Sequence, residues 1–548
     1  MIDTDADVAV IGSGFAGSLM ALILNRIGLR TVLIDKGTHP RFAIGESSTP
    51  IADCVLRDLA RRYDLPQFEP LSSYGSWQRS LPHLRCGLKR GFSYFQHEPN
   101  QAFMTDPDHG NELLVTASSD DARSDTHWFR ADVDQFFADE VVRAGIPFLD
   151  ETEISEFQQR QHWQLTGQRH GEEVRISARF LIDAGGGSGV VGRAMNVPAV
   201  SKPFRTNSSS LYAHFKGVPR WRQVLERSGG AVDEHPFDCD NAAQHHLLDG
   251  AWMWILRFRD ETVSAGLVID NDRWPDRSSH IPNALGMAKQ KVPRDGSDHR
   301  QPGFPSGANF TPQQQWADWL ARYPSLNDQF ATARLLDSPG HLIHTPRLQR
   351  RFERCVGPNW AMLPHAAGFV DPLHSTGIAH SLCAIERLAA LFERFSKQED
   401  FEAGLREYEQ TVFSELSMID ALVHGCYRGL SHFRLFASYA MFYFAAATTY
   451  EHRRADRGKE SGGAFLCADD RGFREAVETF DRRISQLTTT QSQLTTAHPD
   501  APAVAEFERD VAKALRPTTK SASATQPPEI CTATRRRRSS GRGNAGPA

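Results

Sequence analysis

A single lysine heads the stretch KRGFSYF, residues 89 to 95, and its amine is a group that could do chemistry. The residues after it alternate as they do in a strand with one face in the core. A lysine at the edge of such a strand is usually solvated. A lysine enclosed in a closed channel has a lowered pKa instead, which makes the neutral amine accessible. The rest of the chain decides between these two environments for Lys89.

The N-terminal residues predict a binding site for a pyrophosphate. An apolar strand, Val8 to Ile11, leads into a G-x-G-x-x-G pattern, an apolar helix follows, and TVLID closes the unit with an acidic residue. The glycines permit a tight turn, close approach of the backbone to the pyrophosphate, and close packing of helix on strand, while the helix N-terminus supplies N–H groups. Asp35 is expected to bind the ribose hydroxyls. The residues of this unit predicted to contact the cofactor are Gly12, Gly14, Phe15, Ala16, Gly17, Asp35 and Lys36.

Two later strand-to-glycine units indicate a cofactor that is held at both ends. They are RFLIDAGGGSG, from Arg179, and NWAMLPHAAGFVDPLHSTGIAHSL, from Asn359. Each unit alone is equally compatible with an ordinary connection between a strand and a helix. Together with the N-terminal unit they fit a cofactor longer than a dinucleotide head. This layout resembles the FAD-dependent monooxygenase superfamily over most of residues 6 to 420.

Three motifs resemble one branch of that superfamily, the flavin-dependent halogenases. They are GESSTP at 45–50, AWMWILRF at 251–258 and FVDPLHSTG at 369–377. The last one carries the family pattern F-x-x-P-x-x-S-x-G in full. Ser375 stands where an N-cap belongs, so the next backbone amides would form an anion site at the positive end of a helix. The resemblance implies that a halide binds there, beside the flavin, at Ser375, Thr376, Gly377 and Ile378.

The resemblance also implies the other contacts of the site. Further FAD contacts are predicted at Gly45, Glu46, Ser47, Arg130, Asp183, Gly186 and Asp371. A substrate pocket is predicted at Trp252, Trp254, Phe369 and Pro372.

The chain departs from the superfamily pattern at two positions. Pro364 and His365 stand where Gly-Asp is usual, so the carboxylate contact to the ribityl chain is absent unless Asp371 or His365 replaces it. His374 stands where tryptophan halogenases carry Glu, which argues against free tryptophan as the substrate.

Lys89 matches a lysine of the same family. There the lysine stands in a K-x-G segment after the G-E-S motif, as Lys89-Arg90-Gly91 do here. In that family reduced flavin, oxygen and halide yield hypohalous acid, which diffuses freely. A lysine in a closed channel either hydrogen-bonds this species or is converted to a haloamine, and both routes deliver electrophilic halogen to an electron-rich ring. The resemblance therefore makes Lys89 the predicted catalytic residue.

The tryptophan motif leaves two alternatives open. The family usually reads W-x-W-x-I-P, whereas Trp254 is followed here by Ile255 and Leu256, without the proline. In the family this segment is thought to keep the substrate away from the flavin, so its change leaves room for a monooxygenase. Equally, the tryptophans are a core stripe on one face of a strand in a hairpin with TVSAGLVID.

Composition and local patterns limit the partners, metal sites and cellular compartment expected for this chain. The net charge of −5 suggests neither nucleic acid nor a membrane surface. The cysteines show no metal-ligand spacing, so we expect reduced thiols and no metal site. The N-terminus lacks the plan of a signal peptide, which predicts a cytoplasmic protein. The apolar run from Leu435 is shorter than a membrane span and predicts a buried helix or a binding wall.

The fold class predicted is α/β. An FAD-binding Rossmann-like domain occupies 1–204 and 351–384, an antiparallel-sheet substrate domain 205–350, and a helical region 385–516. Within the predicted substrate domain, a capping box at Thr311 predicts the start of a helix. Residues 517–548 are rich in Ser, Thr, Pro and Gly, which predicts a disordered tail.

The predicted activity follows from the resemblance. We expect a two-component halogenase, a chlorinase, that uses FADH2, oxygen and chloride or bromide on an electron-rich aromatic, with a phenolic, tetracycline-like polyketide favoured over a carrier-bound pyrrole or phenol. Its flavin would be reduced by a separate NAD(P)H-dependent reductase. The alternative is an FAD-dependent hydroxylase that reduces its own flavin. A flavoprotein without catalytic activity is the third class, against which the three glycine loops and the halide-type helix start argue.

Overall fold

The computed structural model describes residues 1–274, 311–394, 398–456, 463–489 and 500–516. The predicted tail, 517–548, lies outside the described residues. The strands, in chain order, are β1 (Ile2–Ile11), β2 (Thr31–Ile34), β3 (Cys86–Lys89), β4 (Gly91–Gln96), β5 (Glu112–Thr116), β6 (Asp125–Trp128), β7 (Phe148–Leu149), β8 (Thr152–Gln159), β9 (Trp163–Arg169), β10 (Glu172–Asp183), β11 (Ala199–Val200), β12 (Ser208–Lys216), β13 (Ala243–Leu248), β14 (Ala251–Arg257), β15 (Val263–Asp270), β16 (Arg334–Leu335), β17 (Ile343–Thr345), β18 (Arg350–Phe352), β19 (Val356–Gly357), β20 (Trp360–Met362) and β21 (Gly368–Phe369).

Helices cover the sheets and build the C-terminal region. The α-helices are α1 (Phe15–Arg26), α2 (Pro50–Arg62), α3 (Tyr74–Ser80), α4 (Arg130–Arg143), α5 (Val190–Ala194), α6 (Trp221–Arg227), α7 (Pro312–Ala321), α8 (Pro324–Phe330), α9 (Pro364–Ala367), α10 (Gly377–Arg394), α11 (Gln398–Arg428), α12 (Phe433–Asp456), α13 (Arg471–Thr489) and α14 (Ala501–Ala514). Short 3₁₀ helices lie at Pro66–Ser72, Gly186–Ser188, Val232–Glu234 and Phe465–Cys467.

The first sheet carries the N-terminal glycine turn. Its central strands run in the order β20-β10-β1-β2-β7 and pair in parallel, with β19 antiparallel at one edge. The hairpin β8–β9 extends β10 on its antiparallel side. Every residue of β2 is buried, as expected for a parallel strand covered on both faces. The unit β1-α1-β2 therefore confirms the predicted β-α-β start.

A second, largely antiparallel sheet follows the order β16-β12-β15-β14-β13-β4-β5, with β17 also paired to β12. The tryptophan segment is β14, and it forms the predicted hairpin with β15. Strand β4 pairs in parallel with β13 and antiparallel with β5. The sheet thus extends beyond the predicted limits of 205–350, because two strands from 91–116 complete its edge.

Helices α12 and α7 confirm two sequence predictions. The run from Leu435 lies in α12, whose inward residues, such as Phe436 and Tyr443, are buried. Among the described residues, no helix is both long and apolar enough to cross a membrane. The capping box is present, since Thr311 accepts from the Gln314 amide and Gln314 accepts from the Thr311 amide. The α/β class with an antiparallel sheet and a helical C-terminal region is therefore confirmed.

Candidate active site

The glycine turn after β1 is packed as the sequence predicts. Gly12 has φ +107°, and a Cβ there would lie 2.5 Å from the Ala184 carbonyl oxygen. A Cβ on Gly17 would lie 1.9 Å from the Gly12 carbonyl oxygen, so helix and strand approach closely. Gly14 is the N-cap of α1, and a Cβ there would meet only the side chains of Arg130 and Asp134, at 3.6 Å. Packing of the protein itself therefore requires glycine at 12 and 17, but not at 14.

Asp35 follows β2 and lies beside the turn. Its carboxylate accepts from the Ser13 amide at 2.7 Å, the Gly37 amide at 2.8 Å and the Arg41 guanidinium at 2.6 Å. Burial opposes ionisation, but the hydrogen bonds from Arg41 outweigh it and lower the pKa of Asp35 to about 2. Asp35 is thus a permanent anion at the expected place, while Lys36 is exposed. Contacts of either residue with the ribose stay predictions.

Arg130 joins the glycine turn to the GESSTP segment. It donates to the carbonyls of Ile44 and Gly45 at 2.9 and 3.1 Å, and to Asp134 at 3.0 Å. Asp134 in turn accepts from the Phe15 amide at 3.1 Å. The structure therefore brings Phe15, Gly45 and Arg130 together at the N-terminus of α1. Asp134, one helical turn after Arg130, is a member of this group that sequence analysis missed.

The residues after Gly45 fit a polar ligand. Glu46 is buried and accepts from His214 at 2.8 Å with one oxygen. Its other oxygen and the Ser47 hydroxyl are buried without a hydrogen-bond partner among the described residues. Buried polar groups are normally paired, so these two atoms suit a bound molecule that supplies donors and acceptors. FAD has both, and the site therefore fits this cofactor.

Asp183 holds the second glycine turn. Its carboxylate accepts from the amides of Gly185 at 2.9 Å and Val191 at 2.7 Å, and burial raises its pKa to about 6. Gly186 has φ +56°, a conformation that favours glycine. Both residues shape the turn, and their contact with FAD stays a prediction.

The Asp371 carboxylate is hydrogen-bonded to three groups of the protein. It accepts from the hydroxyls of Tyr427 at 2.6 Å and Ser208 at 3.1 Å, and from the Leu373 amide at 3.0 Å. Burial raises its pKa to about 7. Trp252 donates through Nε1 to the same Tyr427 hydroxyl at 3.2 Å. Asp371 thus connects the predicted halide loop, residues 369–377, to β12, α11 and the tryptophan strand β14. Its contact with the ribityl chain stays a prediction.

The predicted halide loop begins its helix one residue later than expected. Helix α10 starts at Gly377, and its first turn closes with the His380 amide on the Thr376 carbonyl, at 2.9 Å. Thr376 therefore holds the N-cap position, and the prediction of Ser375 as N-cap is wrong. Ser375 has φ +54° instead, and its amide donates to the Pro372 carbonyl at 3.0 Å. Thr376, Gly377 and Ile378 remain at the positive end of the helix.

His365 lies against this helix start. A Cβ on Gly377 would lie 2.8 Å from Nε2 of His365, so glycine at 377 makes room for the imidazole. Burial lowers the pKa of His365 to about 3, which keeps the ring neutral. The Phe369 ring packs against it, with 5.7 Å between ring centroids. The residue that departs from the superfamily pattern is thus placed beside the predicted halide site.

Lys89 is fully buried, with no part of its surface exposed, so the solvated alternative is wrong. Its amine donates to the Ser48 carbonyl and lies 4.3 Å from the centroid of the Phe92 ring. Burial lowers the pKa of Lys89 to about 8, against the charges of Asp125 and Asp53, which raise it. About a tenth of the amine is therefore neutral at pH 7, and about half at pH 8.

Two buried carboxyl groups lie beside this lysine. Asp125, on β6, stands directly opposite Lys89 in the β3–β6 pair, and Asp53 lies in the first turn of α2. Each has one carboxylate oxygen with no partner in the described part of the chain. Burial raises the pKa of Asp125 to about 6, and burial together with the charge of Asp125 raises that of Asp53. Sequence analysis missed both, because neither has a fixed spacing from Lys89.

An aromatic wall connects the lysine to the halide loop. The Phe92 ring lies 6.0 Å from His245 on β13, and 6.0 and 5.4 Å from Tyr443 and Phe444 on α12. Tyr443 stacks on His374 of the halide loop, with centroids 4.3 Å apart and planes inclined by 5°. Helix α12 is therefore a wall over β4, and Lys89 and His374 belong to one region.

The two tryptophans line the neighbouring face of the sheet. Their rings are 6.0 Å apart, Trp252 packs against His245 at 5.3 Å, and Trp254 donates to the Ser264 hydroxyl at 3.2 Å. Gly266 makes room for Trp254 across the hairpin. Both tryptophans are buried in the core between the sheet and the halide loop, and a contact of either with substrate stays a prediction.

The fold and the site together define a class of protein. A parallel sheet with a glycine turn and an anionic Asp35 is typical of a dinucleotide-type cofactor fold, and the buried Lys89 lies beside a second sheet.

Comparison with known proteins agrees with this class. The family model "Tryptophan halogenase" matches residues 327–430. Monodechloroaminopyrrolnitrin halogenase PrnC of Pseudomonas fluorescens is 28% identical over 434 residues, which cover 79% of this chain and 70% of the relative. Tetracycline 7-halogenase of Kitasatospora aureofaciens is 26% identical over 494 residues, 85% of this chain and 78% of the relative.

The solved structures show the same fold. The crystal structure of halogenase PltM in complex with phloroglucinol and FAD matches with a TM-score of 0.72 at 21% identity, and covers 93% of this chain and 95% of that one. The chain is therefore a relative of the flavin-dependent halogenases and an enzyme, which confirms the resemblance indicated by its motifs.

Proposed function

We propose that this enzyme uses FADH2, oxygen and halide to halogenate an electron-rich aromatic compound. The observation that carries the proposal is the buried amine of Lys89, with its lowered pKa, on the aromatic wall that leads to the halide loop. No direct salt bridge to this amine is present among the residues that the structure describes. A buried cation in such surroundings is costly, and such groups cluster at functional sites.

The residues around the glycine turn would hold FAD. The Gly14–Phe15 segment, Asp35, Glu46 and Ser47 supply the helix end, the anion and the unpaired polar atoms that such a ligand needs. Reduced FAD, when bound, would supply two electrons and two protons, with which oxygen, halide and one further proton give hypohalous acid and water.

Lys89 would control the hypohalous acid in one of two ways. The ammonium form donates a hydrogen bond to it and orients it toward the ring. The neutral amine instead reacts with it, forming an N–halogen bond and releasing water. The aromatic ring then takes the halogen and loses a proton, and the amine is restored. Asp125, opposite the amine, is placed to tune the balance between the two forms.

The aromatic wall suits a phenolic ring. The buried hydroxyl of Tyr94 and Nδ1 of His374 have no partner in the part of the chain that the structure describes, so both could hydrogen-bond a phenol. Burial lowers the pKa of His374 to about 3, which keeps this ring neutral. We propose a polyketide-like phenol, in line with the tetracycline relative.

Chloride is the proposed halide. A carrier-bound pyrrole and bromide form the second choice, because the 1H-pyrrole-2-carbonyl-[peptidyl-carrier protein] brominase of Pseudoalteromonas luteoviolacea is also a relative, 22% identical over 497 residues.

A separate NAD(P)H-dependent reductase is the proposed partner, and the cytoplasm is the proposed compartment. The cysteines of the described residues are free thiols, as a reducing compartment requires.

The direct hydroxylase is not favoured, because the named relatives are halogenases.

The test combines the purified chain with FAD, NAD(P)H, oxygen, halide and a panel of phenols and pyrroles, with and without a flavin reductase. We expect product carrying the halogen isotope pattern in mass spectrometry, only when reductase and halide are both present. Reduction of FAD by the chain alone, with a hydroxylated product and no halogen, would overturn the proposal.

A further inference from the structure

A second cluster of titratable side chains lies away from Lys89, at the other end of β4. His109, Glu112 and His235 bring their ligand atoms within 4.8 Å of one another. His109 lies in the turn before β5, Glu112 opens β5 opposite Phe95, and His235 follows the 3₁₀ helix at 232–234. Two loops distant in sequence therefore meet at the edge of the second sheet through these three residues.

The three groups converge on one carboxylate oxygen. Oε1 of Glu112 lies 3.0 Å from Nε2 of His235 and also contacts Nδ1 of His109. Ligand atoms bound to one tetrahedral zinc ion lie roughly 3–3.5 Å apart, because each is about 2.0–2.2 Å from the metal. The 3.0 Å between Glu112 and His235 lies at the lower end of this range, and all three atoms lie within 4.8 Å, so small side-chain movements would give a zinc ligand set.

Both ring nitrogens of His109 face carboxylate oxygens. Nδ1 contacts Glu112, and Nε2 lies 3.1 Å from Oε2 of Glu234. A neutral imidazole carries only one N–H, so it cannot donate to both carboxylates. Two carboxylates on one ring are therefore best matched by an additional positive charge, which is a second proton on His109, a proton on a carboxyl group, or a metal ion that takes the Nδ1 lone pair.

A buried and unpaired oxygen favours the metal ion. The Glu112 side chain is only 1% exposed, and its Oε2 has no hydrogen-bond partner among the described residues. A second proton on His109 or one on Oε1 would still leave this oxygen unpaired, which is unfavourable for a buried carboxylate. A cation between the rings would instead be bound by both oxygens of the carboxylate.

Glu234 is placed as the outer partner of such a site. Its carboxylate accepts from Nε2 of His109 at 3.1 Å while its side chain is 70% exposed. Carboxylates that hold the far nitrogen of a metal-bound histidine fix its tautomer and raise its basicity.

We propose that His109, Glu112 and His235 bind a divalent transition metal, zinc first, which fastens the turn at 106–112 to the loop at 232–235. Two imidazoles and one carboxylate suit zinc better than calcium or magnesium, which prefer oxygen ligands throughout. Water or the second oxygen of Glu112 would complete the coordination.

The test uses the full chain without a histidine tag, stripped with EDTA and titrated with zinc chloride against a chromophoric chelator. We expect one zinc ion per chain and a raised melting temperature on zinc addition. Glu112→Gln and His109→Gln should lose this ion. Glu234→Gln should retain it with an affinity about 10–100-fold lower, because only the outer partner is changed.

The matched control is His97→Gln. His97 and His246 form another buried histidine pair, with Nε2 and Nδ1 2.9 Å apart, but no carboxylate of the described residues is hydrogen-bonded to them. This variant should bind zinc as the wild type does. A wild-type chain that retains no zinc, or a Glu112→Gln chain that retains it with unchanged affinity, would overturn the proposal. Since Glu234 is mostly exposed, its variant should fold, and an unchanged zinc affinity there would also contradict the proposed geometry. None of these measurements depends on halogenation.

Discussion

Lys89 and Asp125 stand directly opposite each other on the antiparallel strands β3 and β6, and both side chains are buried. Residues in such a cross-strand pair have their Cβ atoms about 4.5–5.5 Å apart, close enough for the charge of one to act on the other. Burial drives the lysine toward its neutral form and the carboxylate opposes this. The protonation state of the amine therefore depends on a residue that never needs to touch the substrate.

The first prediction concerns the pH dependence of halogenation. If the neutral amine transfers the halogen, product formation in the wild type should rise as the pH passes through about 8, the pKa of Lys89. Asp125→Asn removes a charge that raises this pKa, so the midpoint should shift to lower pH. The measurement is the initial rate of product formation between pH 6 and 9.5, with reduced FAD and halide in excess.

The control for this shift is Asp121→Asn. Asp121 lies in the loop before β6, is mostly exposed and pairs with Arg90, so its loss should leave the profile unchanged. A profile for Asp125→Asn that superimposes on the wild type would show that Asp125 is only structural.

Replacing Lys89 by an apolar side chain should stabilise the fold. Burial holds the pKa of Lys89 at about 8, below its ordinary value of 10.5, so the ammonium costs stability below pH 8. The shift of about 2.5 pKa units corresponds to about 3.4 kcal/mol, and about 1 kcal/mol is lost with the bond to Ser48, so Lys89→Met should gain roughly 2 kcal/mol at pH 7. The gain should shrink as the pH rises from 8 toward 10.5, because the amine of the folded state becomes neutral.

Urea unfolding of the two proteins at pH 7 and at pH 9.5 measures this difference. A Lys89→Met chain that is less stable than the wild type at pH 7 would mean that the buried ammonium of Lys89 stabilises the fold instead of destabilising it.

Gly14 offers a test of the cofactor position that is separate from folding. A Cβ at Gly14 has room among the protein's own atoms, so Gly14→Val should fold and yet lose FAD, because the side chain would occupy the space of the pyrophosphate. Gly17→Ala is the contrasting control, since its Cβ would collide with the Gly12 carbonyl and should lower the melting temperature. Flavin content after gel filtration and thermal melting measure both effects. Full retention of flavin by Gly14→Val would contradict the placement of the cofactor.

Sequence patterns predicted those helices, strands and turns that depend on residues close together in the chain. The β1-α1-β2 unit, the tryptophan hairpin, the capping box at Thr311 and the helix over Leu435 all follow from periodicity and from turn or cap residues. Ser375 and Thr376 are both capping residue types, so composition does not decide between them. The left-handed backbone at Ser375 decides, and no local signal reveals it.

Long-range pairing explains most of what sequence analysis missed. Asp125 reaches Lys89 through strand pairing, and β4 joins the second sheet through a parallel contact with β13. The same holds for His109 and His235, which have no metal-ligand spacing and meet only because two loops fold onto one sheet edge. Chemistry shared by side chains far apart in sequence becomes visible only in the folded chain.

Lys89→Arg separates the two roles open to the lysine. A guanidinium stays charged and still donates hydrogen bonds, but it does not form the haloamine. Loss of halogenation in this variant supports the haloamine route, and substantial activity supports the hydrogen-bonding route. The variant should be compared with the wild type at the same flavin occupancy, measured by absorbance.

The most direct test of the account measures oxygen uptake and halogenated product together, for the wild type and Lys89→Ala, with reduced FAD, halide and a substrate accepted by the wild type. Because Lys89 acts after the flavin in this account, the variant should keep its FAD and its oxygen uptake. Its halogenated product should fall by about 100-fold or more, as expected when a group acting mainly in the transition state is removed. A variant that makes wild-type amounts of halogenated product at unchanged oxygen uptake would show that Lys89 is not needed for halogen transfer by either route.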